Sequence, residues 1–150
     1  MKEAFLLGEE DLSSLSEKVI GILEEKRKME GGDKATVILL EGDLGAGKTT
    51  FTKHLASYLG VDGESVHSPT FILKKEYGTK HVGFKNIVHV DAYRFTHPDE
   101  AKVLRLEEDL RDPKNLILVE WPTKMTYLRS DMEISFEVED ERMRQITITY

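Results

Sequence analysis

Residues 42–49 read Gly-Asp-Leu-Gly-Ala-Gly-Lys-Thr, which satisfies G-x-x-x-x-G-K-[ST] and stands between two runs of different periodicity. Before it, Ala35-Thr36-Val37-Ile38-Leu39-Leu40-Glu41 is short, apolar and β-branched, without the alternation of a strand that has one wet face. After it, Phe51, Leu55 and Leu59 recur every four positions, and Gly60 follows where a helix end takes a left-handed residue. A strand covered on both faces, a glycine-rich turn and a helix, in that order, predict a central parallel strand of an α/β sheet. Each residue type in the turn has a physical task. Glycines let the chain curl until successive backbone N–H groups, those of Asp43, Leu44, Gly45, Ala46 and Gly47, converge on phosphate oxygens. The helix start adds unpaired N–H groups and a partial positive charge to the same anion site. Lys48 then reaches the β- and γ-phosphates, the Thr49 hydroxyl ligates Mg²⁺, and Thr50 offers a hydroxyl near the α-phosphate.

A phosphate cradle alone hydrolyses nothing, because the metal needs a carboxylate near its shell and the attacking water needs an acceptor. Two further apolar runs end in acids, Asn86–Asp91 and Asn115–Glu120, and both read as buried strands. In an open parallel sheet ligands gather at the carboxyl ends of strands, which puts Asp91 and Glu120 on the edge that carries the glycine-rich loop. Glu120 is the preferred Mg²⁺ partner and Asp91 the group beside the γ-phosphate and attacking water, although the residues alone allow these roles to be exchanged. Ser68-Pro69-Thr70-Phe71 falls between the loop's helix and the next strand, where Thr70 is a sensor of the γ-phosphate or part of an ordinary loop-to-strand junction. His89 shares a strand face with Asp91, as a core histidine or a metal neighbour. Arg94 follows closely enough to bring positive charge to the pocket, or to form a surface ion pair. Trp121 walls the pocket or fills the core. Lys74, Lys75, Lys80, His81 and Lys85 form either a solvated hairpin or a patch for an acidic partner or RNA.

Elsewhere, Leu12, Leu15, Val19, Ile22 and Leu23 step by three and four, predicting an amphipathic helix from Asp11 to about Met29, capped by Asp11 or Ser13 and ended by Gly31-Gly32. His97-Pro98-Asp99-Glu100 predicts another helix start. Near the C-terminus Ile134, Phe136 and Val138, then Ile146, Ile148 and Tyr150, alternate with polar residues on either side of the Glu139–Arg142 turn, predicting an antiparallel hairpin with one wet face. No repeat or linker composition divides the 150 residues, so one domain is expected over 1–150. There is no cysteine, which excludes disulfides, thiolate metal sites and cysteine nucleophiles. A net charge of −7 repels polyanions, so independent nucleic-acid binding is not expected. The apolar runs Val37–Leu40 and Leu116–Val119 fall far short of the roughly 20 residues of a membrane span. Met1–Leu7 lacks a secretion-signal core, so a cytoplasmic protein without membrane contact is expected.

With these motifs assembled, the sequence resembles the TsaE (formerly YjeE) family, the bacterial ATPases of tRNA threonylcarbamoyladenosine biosynthesis. Glu41–Phe51 looks like that family's P-loop and Ser68-Pro69-Thr70-Phe71 like its switch segment. His89-Val90-Asp91-Ala92-Tyr93-Arg94 looks like its H-x-D-x-Y-R, and Val119-Glu120-Trp121-Pro122 like its closing E-W-P. The resemblance implies a small P-loop NTPase with ATP as substrate and Mg²⁺ as cofactor, weakly active alone and working with TsaB and TsaD. TsaD transfers the threonylcarbamoyl group to the adenosine next to the anticodon, and tRNA is an indirect partner at most. The resemblance further implies that Thr49 and Glu120 flank Mg²⁺ and that Asp91 lies by the phosphates. The expected fold is a mostly parallel central sheet flanked by helices, with antiparallel strands from the switch region and the C-terminal hairpin. Two other readings share the P-loop. One is a small-molecule kinase, for which only Arg105 and Arg111 fall in the lid stretch; the other is a nucleotide-gated binding module without meaningful turnover. No guanine-specifying N-K-x-D stretch is visible, and the choice of adenine rests on the resemblance.

Overall fold

The computed structural model describes residues 1–69, 73–97, 99–125 and 128–150, without the side chains of Ala101 and Lys124. Along them run β1 (Lys2–Leu7), α1 (Leu12–Glu30), β2 (Thr36–Gly42), α2 (Lys48–Tyr58), β3 (Lys74–Gly78) and β4 (Asn86–Asp91). Then follow α3 (Glu100–Val103), α4 (Leu106–Arg111), β5 (Asn115–Glu120), β6 (Met132–Val138) and β7 (Arg144–Thr149). The strands make one seven-stranded sheet in the order β1-β7-β6-β2-β5-β4-β3. Its middle, β6-β2-β5-β4, is parallel throughout, while β3 on one side and β7 and β1 on the other are antiparallel additions.

Burial follows the sequence pattern. All six residues of β5 and the first five of β2 are buried, as non-alternating apolar strands require when both faces are covered. One face carries Ile38, Leu40, Ile87, Leu116 and Leu118 against Leu15, Val19 and Leu23 of α1 and Phe51 and Leu55 of α2. The other carries Val37, Leu39, Val88, Val90, Ile117 and Val119 against Leu106 of α4 and the segments after β4 and β5, through Phe95 and Met125. The strands β6 and β7 alternate buried with open positions, so their second face is wet. Gly31, at φ +80°, ends α1 as expected, and its N–H bonds the Arg27 carbonyl at 3.1 Å.

The structure differs from the sequence expectation at several points. Lys2–Leu7 is a strand, paired antiparallel with β7 from Lys2↔Thr149 to Leu7↔Arg144. The first strand of the C-terminal hairpin is also the fourth parallel strand, because β6 docks on β2 from Ile38↔Met132 to Gly42↔Phe136. On α1 it is Ile20, 1% exposed, that faces the core, whereas Ile22 packs only at its edge. Asp11 does not cap α1: its carboxylate accepts the Gly8 N–H at 3.0 Å and closes the short turn before the helix. Thr70, Phe71 and Pro98 lie outside the described residues. Among the described residues no helix is long and apolar enough to cross a membrane.

The β2–β6 contact explains the first glycine of the motif. Gly42 sits at φ +145°, and a Cβ there would lie 2.7 Å from the Phe136 carbonyl oxygen, a backbone atom that cannot swing away. Gly42→Ala is expected to lower unfolding free energy by about 2 kcal/mol, the scale of one strained backbone site. The urea midpoint of the variant tests this, and a midpoint equal to wild type would contradict it.

Candidate active site

Three strand ends meet the head of α2. The register pairs Leu40 with Glu120 and Asp91 with Glu120, so the two acids lie side by side at the carboxyl edge where β2 runs into the glycine-rich loop. Alternation decides their direction. Ile87 on β4 and Leu116 and Leu118 on β5 face α1 and α2, so His89, Asp91 and Glu120 turn to that same side. The loop itself curls through Gly45 at φ +78° to Gly47, which precedes α2 at φ +111°, a conformation side chains rarely adopt. The Ala46 N–H bonds the Asp43 carbonyl at 3.0 Å, and Arg144 Nε of β7 donates to the Ala46 carbonyl at 3.2 Å. The C-terminal hairpin thereby braces the loop.

Lys48 is 5% exposed, Asp91 2% and Glu120 3%, so charge is concentrated where water is scarce. The Lys48 ammonium donates to the carbonyls of Gly42 at 2.6 Å and Asp43 at 2.9 Å and lies 4.5 Å from the centre of the Trp121 ring. Burial pushes its pKa below the ordinary lysine value, against the opposing pull of Glu120, Asp91 and Asp43. Trp121 is thus a wall of the site, packed against the Tyr93 ring at 4.9 Å with the planes tilted by 50°, and held at φ +59°, a strained backbone for so large a residue. Thr49 Oγ1 donates to Glu120 Oε1 at 3.2 Å, and His89 Nε2 lies 2.9 Å from the same oxygen. Asp91 Oδ1 accepts the Tyr93 N–H at 2.9 Å and Oδ2 the Ser68 hydroxyl at 3.1 Å.

The structure therefore gathers Lys48, Thr49, Asp91 and Glu120 around the helix start and ties Ser68, in the loop after α2, to Asp91. Thr70 lies outside the described residues. Arg94 is exposed in the turn after β4. Arg105 is exposed too and bonds Glu108 at 2.9 Å. The basic cluster is partly answered by acids: Lys74 bridges Asp109 at 2.8 Å and Glu76 at 3.3 Å, and Lys75 covers the Tyr77 ring. Thr50, Ala46 and Gly47 open onto a cleft of about 590 Å³ whose far wall is Leu7–Glu10 and Arg142–Arg144. Sequence reasoning did not place Leu7, Arg142, Met143 or Arg144 beside the loop, since nothing local shows that β1 ends and β7 begins there.

A thiol-free set of hard oxygen donors, the Thr49 hydroxyl and the Glu120 carboxylate at 3.2 Å, suits Mg²⁺. Among the described residues no three His, Asp or Glu side chains form a metal cage.

A glycine-rich loop between a central parallel strand and its helix, faced by strand-end acids, defines a P-loop NTPase fold. The family model described as Threonylcarbamoyl adenosine biosynthesis protein TsaE matches residues 8–146. The chain belongs to the TsaE family, whose part is in tRNA threonylcarbamoyladenosine biosynthesis. It is similar to the tRNA threonylcarbamoyladenosine biosynthesis protein TsaE of Aquifex aeolicus, 34% identical over 149 residues, covering 99% of this chain and 96% of that one. The protein of the same name from Rickettsia felis is 38% identical over 114 residues, covering 75% of this chain and 64% of the relative. A crystal structure of Bacillus subtilis YdiB matches with a TM-score of 0.65 and 26% identity, covering 99% of this chain and 84% of that one.

Proposed function

We propose that the protein is a cytoplasmic Mg²⁺-dependent ATPase that supports threonylcarbamoyl modification of tRNA together with TsaB and TsaD. The observation that carries this reading is the hydrogen bond from Thr49 to Glu120 at the head of α2, beside the buried ammonium of Lys48. It joins the loop hydroxyl to a strand-end carboxylate, the pair a P-loop enzyme uses on the metal side. When bound, Mg²⁺ would neutralise charge on the β- and γ-phosphate oxygens. The chain's own residues do the positioning. Backbone N–H groups of Asp43–Gly47 and the start of α2 hold the phosphates, and Lys48 exchanges its two loop carbonyls for β- and γ-oxygens. Asp91, one strand over, accepts from the attacking water and orients it. Its bond to Ser68 links that acceptor to the switch segment, in which Thr70 reports the nucleotide state. The cleft beside Thr50 and Arg142 takes the nucleoside.

Phosphate release from ATP and from GTP, measured with Mg²⁺ in the presence and absence of TsaB, TsaD and tRNA, tests this reading. ATP turnover that rises when the partners are added is expected. No hydrolysis in any mixture, despite tight nucleotide binding, would overturn it in favour of a nucleotide-gated binding module.

A further inference from the structure

Of the three polar side chains that β4 and β5 turn toward α2, Asp91 and Glu120 stand at the strand ends, where a ligand reaches them. His89 lies one pleat deeper. It is fully buried, and its register partner on β5 is the core residue Leu118. A buried imidazole is costly unless its nitrogens are paired, and an apolar residue of similar volume avoids that cost. Among the described residues one nitrogen of His89 is paired. Nε2 lies 2.9 Å from Glu120 Oε1, while Nδ1 is shielded from solvent and has no hydrogen-bond partner among them. Whatever justifies a histidine in this layer therefore acts at Nε2.

The chemistry of the pair fixes the direction of the bond. A carboxylate only accepts, so Nε2 carries the hydrogen that it shares with Glu120 Oε1. Among the described residues both donors to Glu120, His89 Nε2 from β4 and Thr49 Oγ1 from α2, arrive at Oε1. Two donors from two elements stop the carboxylate rotating about its last bond and leave Oε2 as the oxygen free to act. The competing destination is the Lys48 ammonium, whose charge Glu120, Asp91 and Asp43 all favour, and a carboxylate released from β4 would be free to turn toward it.

We propose that His89 is a positioning residue for Glu120. Its Nε2–H holds Oε1 against β4, so that Oε2 stays presented to the shell of a divalent cation and away from Lys48. This rests on the reading of Glu120 as the metal-side acid. It assigns a task to the first residue of the His89-Val90-Asp91 strand end that neither phosphate contact nor water activation supplies. Outer partners of this kind typically change metal affinity about 10- to 100-fold when removed.

The test uses the full chain, with a fluorescent ADP analogue as reporter and Mg²⁺ as titrant. His89→Leu keeps the volume and removes the donor, whereas His89→Gln returns an N–H at about the reach of Nε2. The Mg²⁺ concentration at half-maximal response is expected to rise about 10-fold in His89→Leu and to stay within about threefold of wild type in His89→Gln. Affinity for the analogue in EDTA is expected to be the same in all three. In a Glu120→Ala background, His89→Leu is expected to add no further shift, because the coupling runs through that carboxylate alone. An unchanged midpoint in His89→Leu, or the same shift with Glu120 absent, would overturn the proposal while leaving the metal reading standing. A wild-type response with no dependence on Mg²⁺ would instead remove the metal reading itself, and this proposal with it. A readout on the unmutated protein is independent of variant folding. The histidine ¹H–¹⁵N correlation of His89 is expected to show hydrogen on Nε2. A hydrogen on Nδ1 alone would overturn the proposal.

Discussion

Replacing Lys48 by alanine is expected to weaken ATP binding about 100-fold, a loss of about 2.8 kcal/mol that matches one strong charge-assisted contact to phosphate. The structure shows why so little of the effect is offset. The ammonium is held over the loop by the Gly42 and Asp43 carbonyls and by the Trp121 face, so its direction is set before any ligand arrives. Burial has already removed much of its water, which strengthens its attraction to an incoming polyphosphate and costs little further desolvation. Stability without nucleotide should change by only about 1 kcal/mol, because relief from burying a cation is set against two carbonyls that lose their donor. The two quantities are separable in one series of thermal melts. Without ligand the variant should melt within a few degrees of wild type, and with equal ATP it should lose nearly all of the ligand-induced gain. Titration to a dissociation constant within threefold of wild type would refute the role of Lys48.

How much of this was legible before the structure depends on the range of the information. The loop from Gly42 to Thr49 is a local motif with local flanks, and β4 and β5 are apolar runs whose last residues, Asp91 and Glu120, match the observed strand ends. Once those strands are parallel neighbours of β2, the meeting of Lys48, Thr49, Asp91 and Glu120 follows from register. What failed depends on pairing partners that no local pattern encodes. The alternation Ile134, Phe136, Val138 says which face of β6 is wet but not that its other edge lies parallel to β2. Lys2–Leu7 is too weakly patterned to stand out, being half-buried at every second position, and gains its strand from β7. His89 shows the same limit on a smaller scale. Its place on the Asp91 face was readable from the period of two, whereas its bond to Glu120 crosses to the neighbouring strand. Trp121 was readable as wall or core, and only its left-handed backbone decides between them by turning the ring over Lys48.

The division of labour between the two acids makes the second large prediction. Asp91→Asn is expected to lower kcat about 100-fold, the lower range for loss of a positioned proton acceptor, while ATP affinity and Mg²⁺ half-saturation stay near wild type. Asparagine keeps the side-chain oxygen that receives the Tyr93 N–H, so the turn after β4 should survive the change. Glu120→Ala is expected to do the reverse, raising the Mg²⁺ requirement about 10-fold with kcat at saturating metal within a few-fold of wild type. The contrast rests on partners rather than on depth, since both carboxylates are nearly buried and adjacent in register. Glu120 is tied to the loop hydroxyl of Thr49, and Asp91 to Ser68 of the segment proposed as the switch. Under the proposed function, the acid bonded to the loop is the one that would meet the metal, and the acid bonded to Ser68 the one that would respond to the γ-phosphate. Measuring kcat as a function of Mg²⁺ for both variants decides the matter. If Asp91→Asn shifts the Mg²⁺ midpoint and Glu120→Ala lowers the plateau, the two roles are exchanged, and the Ser68 contact then belongs to the metal side of the site.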